Sequence, residues 1–159
     1  MNKQGYIVKA IDFKEIDSIR SLWEELNASH ASLSTYFGPY FDSMTFEKRK
    51  AEFRDKGERG ELLIDVCAFT ATKEAAGYCV SNLIAGVGEI DSLYVKKEHR
   101  GRGAGALLIE SAMAWMRLRN ATDITVHVAV GNEGAINFYR RFGLFPRLIL
   151  LTSKSIPDS

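Results

Sequence analysis

A short stretch two-thirds of the way along the chain combines residue types that bind anions. Residues 96–102 (KKEHRGR) carry a formal charge of +3 with histidine neutral, and glycines at positions 101, 103 and 105 alternate with other residues. A helix N-terminus offers unpaired N–H groups and a partial positive charge, and glycine lets the backbone approach an anion closely. Because this stretch lies between a strand-like and a helix-like segment, it predicts a polyphosphate site. The alternative is a solvated basic turn.

Two known phosphate-binding patterns can be compared with this loop. The sequence contains no GxxxxGK(S/T), which excludes a P-loop. Gly101, Gly103 and Ala106 satisfy the loose dinucleotide pattern GxGxx(G/A). Asp123 has about the spacing expected of a ribose ligand, but it begins a predicted strand instead of ending one. A dinucleotide ligand is therefore the weaker interpretation, although it stays open.

Hydrophobic periodicity predicts the elements that position this loop. Asp12 is placed to cap a helix over about 13–27, and Thr45 begins a charged segment that Gly57 is suited to end. The chain then alternates strands and helices, which predicts an α/β or α+β layered fold with a mixed sheet. The predicted strands are Tyr6–Asp12, Glu61–Thr70, Ala75–Leu83, Gly88–Val95, Asp123–Val130 and Arg147–Thr152, and the later helices are Gly103–Arg119 and Asn132–Phe142.

Composition limits the class of protein. A chain of 159 residues suits a single domain over 1–159. The net charge of +1 predicts neither a nucleic-acid nor a membrane partner. No apolar run approaches the roughly 20 residues that span a bilayer, and no signal core is visible, so a cytoplasmic location is expected. Cys67 and Cys79 are expected to be buried, reduced thiols, and with three scattered histidines they predict no metal site.

Two motifs then identify a family. The first is Arg100-x-x-Gly103-x-Gly105, which follows GEIDSLYV and matches the pattern (R/Q)xxGx(G/A) between a strand and a helix. The second is Asn132-x-x-Ala135-x-x-Phe138-Tyr139, followed by Gly143. With this spacing the sequence resembles the GNAT superfamily of N-acetyltransferases over nearly the whole chain. The resemblance implies a mixed, mostly antiparallel central sheet of six to seven strands flanked by about four helices.

The resemblance also implies a ligand, acetyl-CoA as co-substrate, with no metal. The main chain of Leu93, Tyr94 and Val95 would pair with the pantetheine arm like an added strand, and an amide near Tyr94–Val95 would polarise the thioester carbonyl. Asn132 would touch the same arm. The pyrophosphate would be held by backbone N–H groups, with help from the Arg100 side chain; the residues of this loop are Arg100, Gly101, Arg102, Gly103, Ala104 and Gly105.

Catalytic candidates follow from what amine acetylation requires. Glu89 begins the strand that leads into the loop and is the candidate base; its alternative is a solvated acid at a strand start, with Asp91, or water alone, in reserve. By resemblance Tyr139 would protonate the leaving thiolate; its alternative is a core aromatic. His127 is expected to be a hydrogen-bonded strand histidine, and His99 to add only charge to the loop.

The expected reaction is transfer of an acetyl group from acetyl-CoA to a primary amine of a small molecule, peptide or protein, by direct attack in a ternary complex. The alternative is a non-catalytic acyl-CoA-binding regulatory module. The aromatic-rich segment Ala31–Met44 either walls the acceptor site, as the resemblance implies, or enters the core. The sequence leaves a homodimer open.

Overall fold

A single six-stranded sheet contains every strand of this computed structural model, which describes residues 2–3 and 5–154. The strands follow chain order across the sheet, and all neighbours are antiparallel except β5 and β6, which are parallel. The strands are β1 Asn2–Lys3, β2 Tyr6–Ile11, β3 Glu61–Phe69, β4 Ala75–Ile84, β5 Val87–Val95 and β6 Asp123–Val126. The predicted mixed, mostly antiparallel sheet is confirmed. Because β1 has two residues, five strands have ordinary length, slightly fewer than the predicted six to seven.

Five α-helices accompany the sheet within the described residues, where about four were predicted. They are α1 Arg20–Leu33, α2 Gly38–Ser43, α3 Phe46–Arg59, α4 Ala104–Leu118 and α5 Glu133–Arg140, with 3-10 helices at Phe13–Ile19 and Lys97–His99. The additional helix is α2, which forms inside the aromatic-rich segment. Pro39 lies in the first turn of this helix, where proline is well tolerated. Asp12 caps as predicted, through a capping box that begins the first 3-10 helix.

The described residues form two compact units. The first contains the residues up to Leu26 and Thr45–His127, and so holds the sheet, α3 and α4. The second contains Asn27–Met44 and the residues from Val128 onward, where the Asn27 Nδ2 atom donates to the Phe41 carbonyl at 2.8 Å. The single domain over 1–159 stays a prediction.

In the first unit, α3 and α4 cover opposite faces of the sheet. A Cβ atom added to Gly88 would lie 2.6 Å from the Met116 sulfur of α4, whereas the neighbouring Glu89 carboxylate pairs with Lys56 of α3. Successive strand residues point to opposite faces, so the two helices must flank the sheet. The buried face of α4 is apolar and includes Leu107, Leu108, Ile109, Ala112, Met113 and Met116.

Several predicted boundaries were wrong. The helix predicted over about 13–27 is a 3-10 helix over Phe13–Ile19 followed by α1, which continues to Leu33. Gly57 does not end α3, which continues to Arg59 and stops at Gly60. β6 ends at Val126 instead of Val130, and residues 147–152 form no strand. Apolar, β-branched residues predicted both strands, but a strand forms only where another strand pairs with it, and that requirement is not local in sequence. The apolar side chains of residues 148–151 are instead exposed.

None of the helices that the structure describes combines the length and hydropathy needed to cross a bilayer.

Candidate functional site

The N-terminus of α4 presents free amides to the preceding loop. Gly101 and Gly103 have φ of +71° and +97°, a backbone region that residues with a side chain rarely adopt. Gly103 is the N-cap residue and no side chain caps this helix end. The first amides of α4 therefore lack intrahelical partners. Ala104 and Gly105 are small, although Ala104 is buried. The loop has the geometry of an anion site at a helix of 15 residues.

The Arg100 side chain is held against the end of β5. Its Nε atom donates to the Val95 carbonyl at 2.9 Å, and its guanidinium lies 5.3 Å from the centre of the Tyr94 ring. Arg100 nevertheless remains exposed. Tyr94 in turn donates its hydroxyl to the Glu25 carboxylate at 2.9 Å. The predicted assisting cation is thus fixed where the strand meets the loop.

His99 anchors the loop to the core, a role that the sequence did not indicate. Its ring is buried, with Nδ1 2.9 Å from the Tyr6 hydroxyl and the Phe69 ring packed 5.4 Å away. His99 was predicted only to add charge. The surrounding charged residues concealed its burial, because the turn that directs the ring inward is a three-residue 3-10 helix with no sequence signature.

β5 continues beyond its pairing with β6. The last pair in that ladder is Ile90 with Val126, although β5 runs on to Val95 and stays paired with β4 on its other edge. Among the described residues, no strand pairs with the β6-side edge of β5 over residues 91–95. Apart from the Val95 carbonyl, which accepts from Arg100, the main chain on this edge over Leu93, Tyr94 and Val95 is therefore available for an extended ligand to add as a strand.

A β-bulge marks the same part of β5. Val80 pairs with Ser92 and Ser81 pairs with Ile90, so Asp91 is the extra residue that has no partner on β4. Bulges bend a strand and re-aim its side chains, and they occur often beside functional sites. The Glu89 and Asp91 side chains both point toward α3, in agreement with the predicted shared face.

These two carboxylates belong to a charged cluster with Lys56, Arg49 and Asn82. The Lys56 Nζ atom lies 2.9 Å from Glu89 and 2.8 Å from Asp91, and Asn82 Nδ2 donates to both carboxylates at 3.0 and 3.2 Å. Arg49 binds the Asp91 carboxylate at 2.6 Å and its carbonyl at 2.9 Å. The Asp91 side chain is only 3% exposed. The Asp91 carboxylate is therefore enclosed by hydrogen-bond donors and is not accessible to an amine substrate.

The cluster keeps Glu89 ionised. Burial alone would raise the pKa of this carboxyl, but hydrogen bonds from Asn82 and Lys56 outweigh burial and lower the pKa below its usual range. A carboxylate with a lowered pKa holds a proton weakly, which limits it as a general base.

The other oxygen of Glu89 contacts His127. The His127 Nδ1 atom lies 3.1 Å from Glu89 Oε1, and the His127 side chain is 88% exposed whereas that of Glu89 is 19% exposed. The predicted hydrogen bond of His127 is confirmed. Its position differs from the prediction, because His127 is the first residue after β6 and not part of the strand.

The remaining predicted residues lie in the second unit. Asn132 caps α5, with its Oδ1 atom accepting from the Ala135 amide at 3.2 Å, so the predicted N-cap role is confirmed. Tyr139 is 7% exposed and its ring contacts that of Phe138 at 5.2 Å. Burial of the ring fits the core aromatic that was the alternative to an acid, and it leaves the role of the hydroxyl a prediction.

Comparison with known proteins identifies the family. The model of the acetyltransferase (GNAT) family matches residues 21–144. The chain belongs to this family. The predicted GNAT membership is thus confirmed, and the match includes both motifs, the strand β5 and the whole of α4.

Individual GNAT relatives support the same conclusion. An uncharacterized N-acetyltransferase of Methanocaldococcus jannaschii is 32% identical over 121 residues, which cover 70% of this chain and 54% of that protein. N-alpha-acetyltransferase 30 of Schizosaccharomyces pombe is 38% identical over 56 residues, 35% of this chain and 37% of that protein. The chain therefore spans about half the length of these curated relatives, or less.

A solved structure shows the fold. A Pyrococcus furiosus protein assigned as an acetyl transferase has a TM-score of 0.70 and 22% identity, covering 93% of this chain and 98% of that one.

Proposed function

We propose that the protein transfers an acetyl group from acetyl-CoA to a primary amine, by direct attack in a ternary complex. The observation that carries this proposal is the continuity of two features within the first unit. The unpaired edge of β5 ends at Val95, and the loop that follows it leads directly into the free amides of α4. A ligand with a diphosphate and an extended, amide-containing arm matches both features. Membership of the GNAT family supports the same ligand.

The coenzyme is held mainly by the main chain. The N–H groups from Gly101 to Gly105 bind the pyrophosphate, since the helix end favours negative charge, whereas the Arg100 amide already donates to the Lys97 carbonyl at 3.2 Å. Leu93, Tyr94 and Val95 hydrogen-bond the pantetheine arm as a neighbouring strand would, and Asn132 touches that arm. These contacts direct the thioester toward the end of β5 at which the pairing with β6 stops.

Three demands of the reaction assign the remaining roles. A lysine-like amine is about 10⁻³ to 10⁻⁴ unprotonated at pH 7, a cost of roughly 4–5 kcal/mol, so a base is needed. Glu89 is part of the group of residues that removes this proton. The tetrahedral oxyanion needs a fixed donor, which a backbone amide near Tyr94–Val95 supplies. Tyr139 gives a proton to the leaving thiolate, whose parent pKa is near 8.5.

Three experiments test the proposal. Calorimetry should show binding of CoA and acetyl-CoA but not of NAD, and the absence of heat from CoA would remove the coenzyme. Acetyl-CoA should then release thiol in the presence of a panel of amines: a pentapeptide with a free α-amine, lysine methyl ester, spermidine and kanamycin. Tyr139→Phe should lower kcat with little change in the coenzyme Kd. Unchanged turnover of that variant would exclude Tyr139 as the acid.

One observation favours the second candidate, a non-catalytic acyl-CoA-binding module. Glu89 is ion-paired with Lys56 and has a lowered pKa, so taken alone it is a weak base. Such a module would bind CoA and acetylate no amine of the panel, which separates it from the enzyme.

A further inference from the structure

The contact between Glu89 and His127 lies where β5 and β6 separate. The parallel ladder pairs Glu89 with Thr125 and Ile90 with Val126, and His127 is the first residue released from it. Continued pairing would have placed His127 opposite Asp91. The imidazole thus lies beside the start of the unpaired edge of β5, in the first unit together with the α4 loop.

The hydrogen bond assigns the tautomer of His127. Glu89 is an ionised acceptor, so the Nδ1 atom facing Glu89 Oε1 at 3.1 Å carries the hydrogen. In neutral imidazole the other nitrogen, Nε2, then has a free lone pair. The side chain is 88% exposed, so Nε2 is accessible to a small molecule or a water.

The polar and charged groups around Glu89 and His127 favour the hydrogen bond between Glu89 Oε1 and His127 Nδ1. Lys56 of α3 and Asn82 of β4 occupy Oε2 of Glu89, which leaves Oε1 for His127. Asp91, also on β5, is shared by Lys56 and Arg49. These are the charged groups of α3, β4 and β5 that face the pair. The cluster therefore holds Glu89 in place and directs one carboxylate oxygen outward to the ring.

We propose that His127 is the general base of the reaction, with Nε2 taking the amine proton, and that Glu89 is a positioning residue that holds the ring. This inference rests on the proposed function and reassigns the base within it. The amine nitrogen forms a bond to the acetyl carbon and the carbon–sulfur bond breaks. Nε2 takes the proton that nitrogen loses, and the thiolate takes a proton from Tyr139, which water reprotonates.

The spacing along β5 predicts how the proton travels. His127 is level with Asp91, and Leu93 lies two residues further along the strand, about 7 Å away at 3.3–3.4 Å per residue. A distance of this size is too long for direct transfer to an amine beside the thioester and suits one bridging water. A neutral imidazole with a free nitrogen lone pair accepts a proton without giving up an ion pair, whereas the Glu89 carboxylate is paired with Lys56.

The test compares His127→Gln, His127→Ala and Glu89→Gln with Glu24→Gln, an exposed glutamate on α1 that serves as the matched control. The acceptor is the panel amine with the highest wild-type rate. We expect His127→Gln to lower kcat about 10²- to 10³-fold with an unchanged coenzyme Kd. Glu89→Gln should lower kcat about tenfold, and Glu24→Gln should have no effect.

Two further readouts separate a base from a structural residue. In a plot of kcat/KM against pH, ionisation of the amine lowers activity at low pH in the same way for every variant. A further loss of activity at low pH that is present in the wild type and absent only from the His127 variants would therefore belong to the imidazole. Added imidazole should restore turnover to His127→Ala, because the site is exposed, and should not restore it to Glu89→Gln. Circular dichroism confirms that each variant is folded.

The results that overturn the proposal are distinct from failure of the enzyme. A loss below threefold in His127→Gln, or a loss in Glu89→Gln larger than in His127→Gln, would return the base to Glu89 or to water. Absence of imidazole rescue, with the variant folded and binding CoA, would also overturn it. If the wild-type protein binds CoA but acetylates no panel amine, the result contradicts the proposed function itself, and with it the assignment of a base.

Discussion

Gly77 on β4 faces the part of β5 on which the coenzyme arm is proposed to lie, and its replacement by alanine should disturb stability and binding together. Gly77 pairs with Val95, and a Cβ atom added there would lie 2.5 Å from the Tyr94 carbonyl oxygen. That distance is 0.9 Å below the 3.4 Å at which ordinary van der Waals contact begins. The next contacts are Val95 Cγ2 at 3.1 Å and Val95 Cα at 3.2 Å. Since the closest atom is a backbone oxygen, a strand has to move.

The expected cost follows from overpacking. Inserting a methyl group into a closely packed site costs about 1–3 kcal/mol. At roughly 2–4 °C per kcal/mol for a chain of this size, a cost of about 2 kcal/mol corresponds to a Tm lower by roughly 4–8 °C. A shift of the Tyr94–Val95 main chain would also weaken one hydrogen bond to the pantetheine arm, by about 0.5–1.5 kcal/mol. Gly77→Ala should therefore raise the acetyl-CoA Kd by up to about tenfold.

Gly57→Ala is the matched control, because the same substitution there should have the opposite sign. Gly57 lies inside α3, and its added Cβ would meet the Leu62 side chain at 3.5 Å from Cβ and 3.8 Å from Cδ2, which are ordinary contacts. Alanine is favoured over glycine in a helix by roughly 0.5–1 kcal/mol, so the Tm should rise by a few degrees. Thermal unfolding and calorimetry with acetyl-CoA measure both effects. A Gly77→Ala protein with a wild-type Tm and Kd would refute the reasoning.

Three further predictions concern titratable groups. Lys56→Met removes the lysine that pairs with Glu89 and leaves Asp91 with Arg49 alone, and it should cost roughly 2 kcal/mol in urea unfolding. Because Glu89 has a lowered pKa, this loss should be full above about pH 5 and should shrink as pH falls through that pKa. Burial raises the pKa of Asp65, one of whose oxygens has no partner among the described residues, so the fold favours the neutral acid. Asp65→Asn should therefore raise the Tm by an amount that grows as pH rises above about 4 and levels off above the raised pKa. Burial raises the pKa of Cys67 to about 11 and that of Cys79 to about 12, so a thiol reagent at pH 8 should react slowly with the native protein and with both thiols in denaturant.

The sequence predicted the glycine loop and the start of α4 because their determinants are local, and anion binding by this loop stays a prediction. Gly101, Gly103 and the basic residues around them are contiguous, and the helix that follows begins within one residue of the predicted start. The N-cap residues Asp12 and Asn132 were predicted for the same reason, since a cap depends on residues two or three positions away. Features of this kind depend little on the rest of the fold.

The charged cluster could not be predicted, because its partners are distant in sequence. Lys56 and Glu89 are separated by 33 positions, and Arg49 and Asp91 by 42. The sequence placed Glu89 and Asp91 on one face of a strand but gave no means of knowing which helix covers that face. The lysine that lowers the pKa of Glu89 was therefore missed, and with it the reason to look beyond Glu89 for a base.

The error in the length of β6 explains why the site lies where it does. The apolar pattern predicted a strand over Asp123–Val130, and in the observed register residues 127–130 would then pair with residues 91–94. Such pairing would occupy the β5 amides and carbonyls that the proposed coenzyme arm requires. It would also draw the His127 main chain into the ladder opposite Asp91. The end of the β5–β6 ladder at Ile90 and Val126 thus creates an unpaired strand edge and leaves His127 outside the ladder.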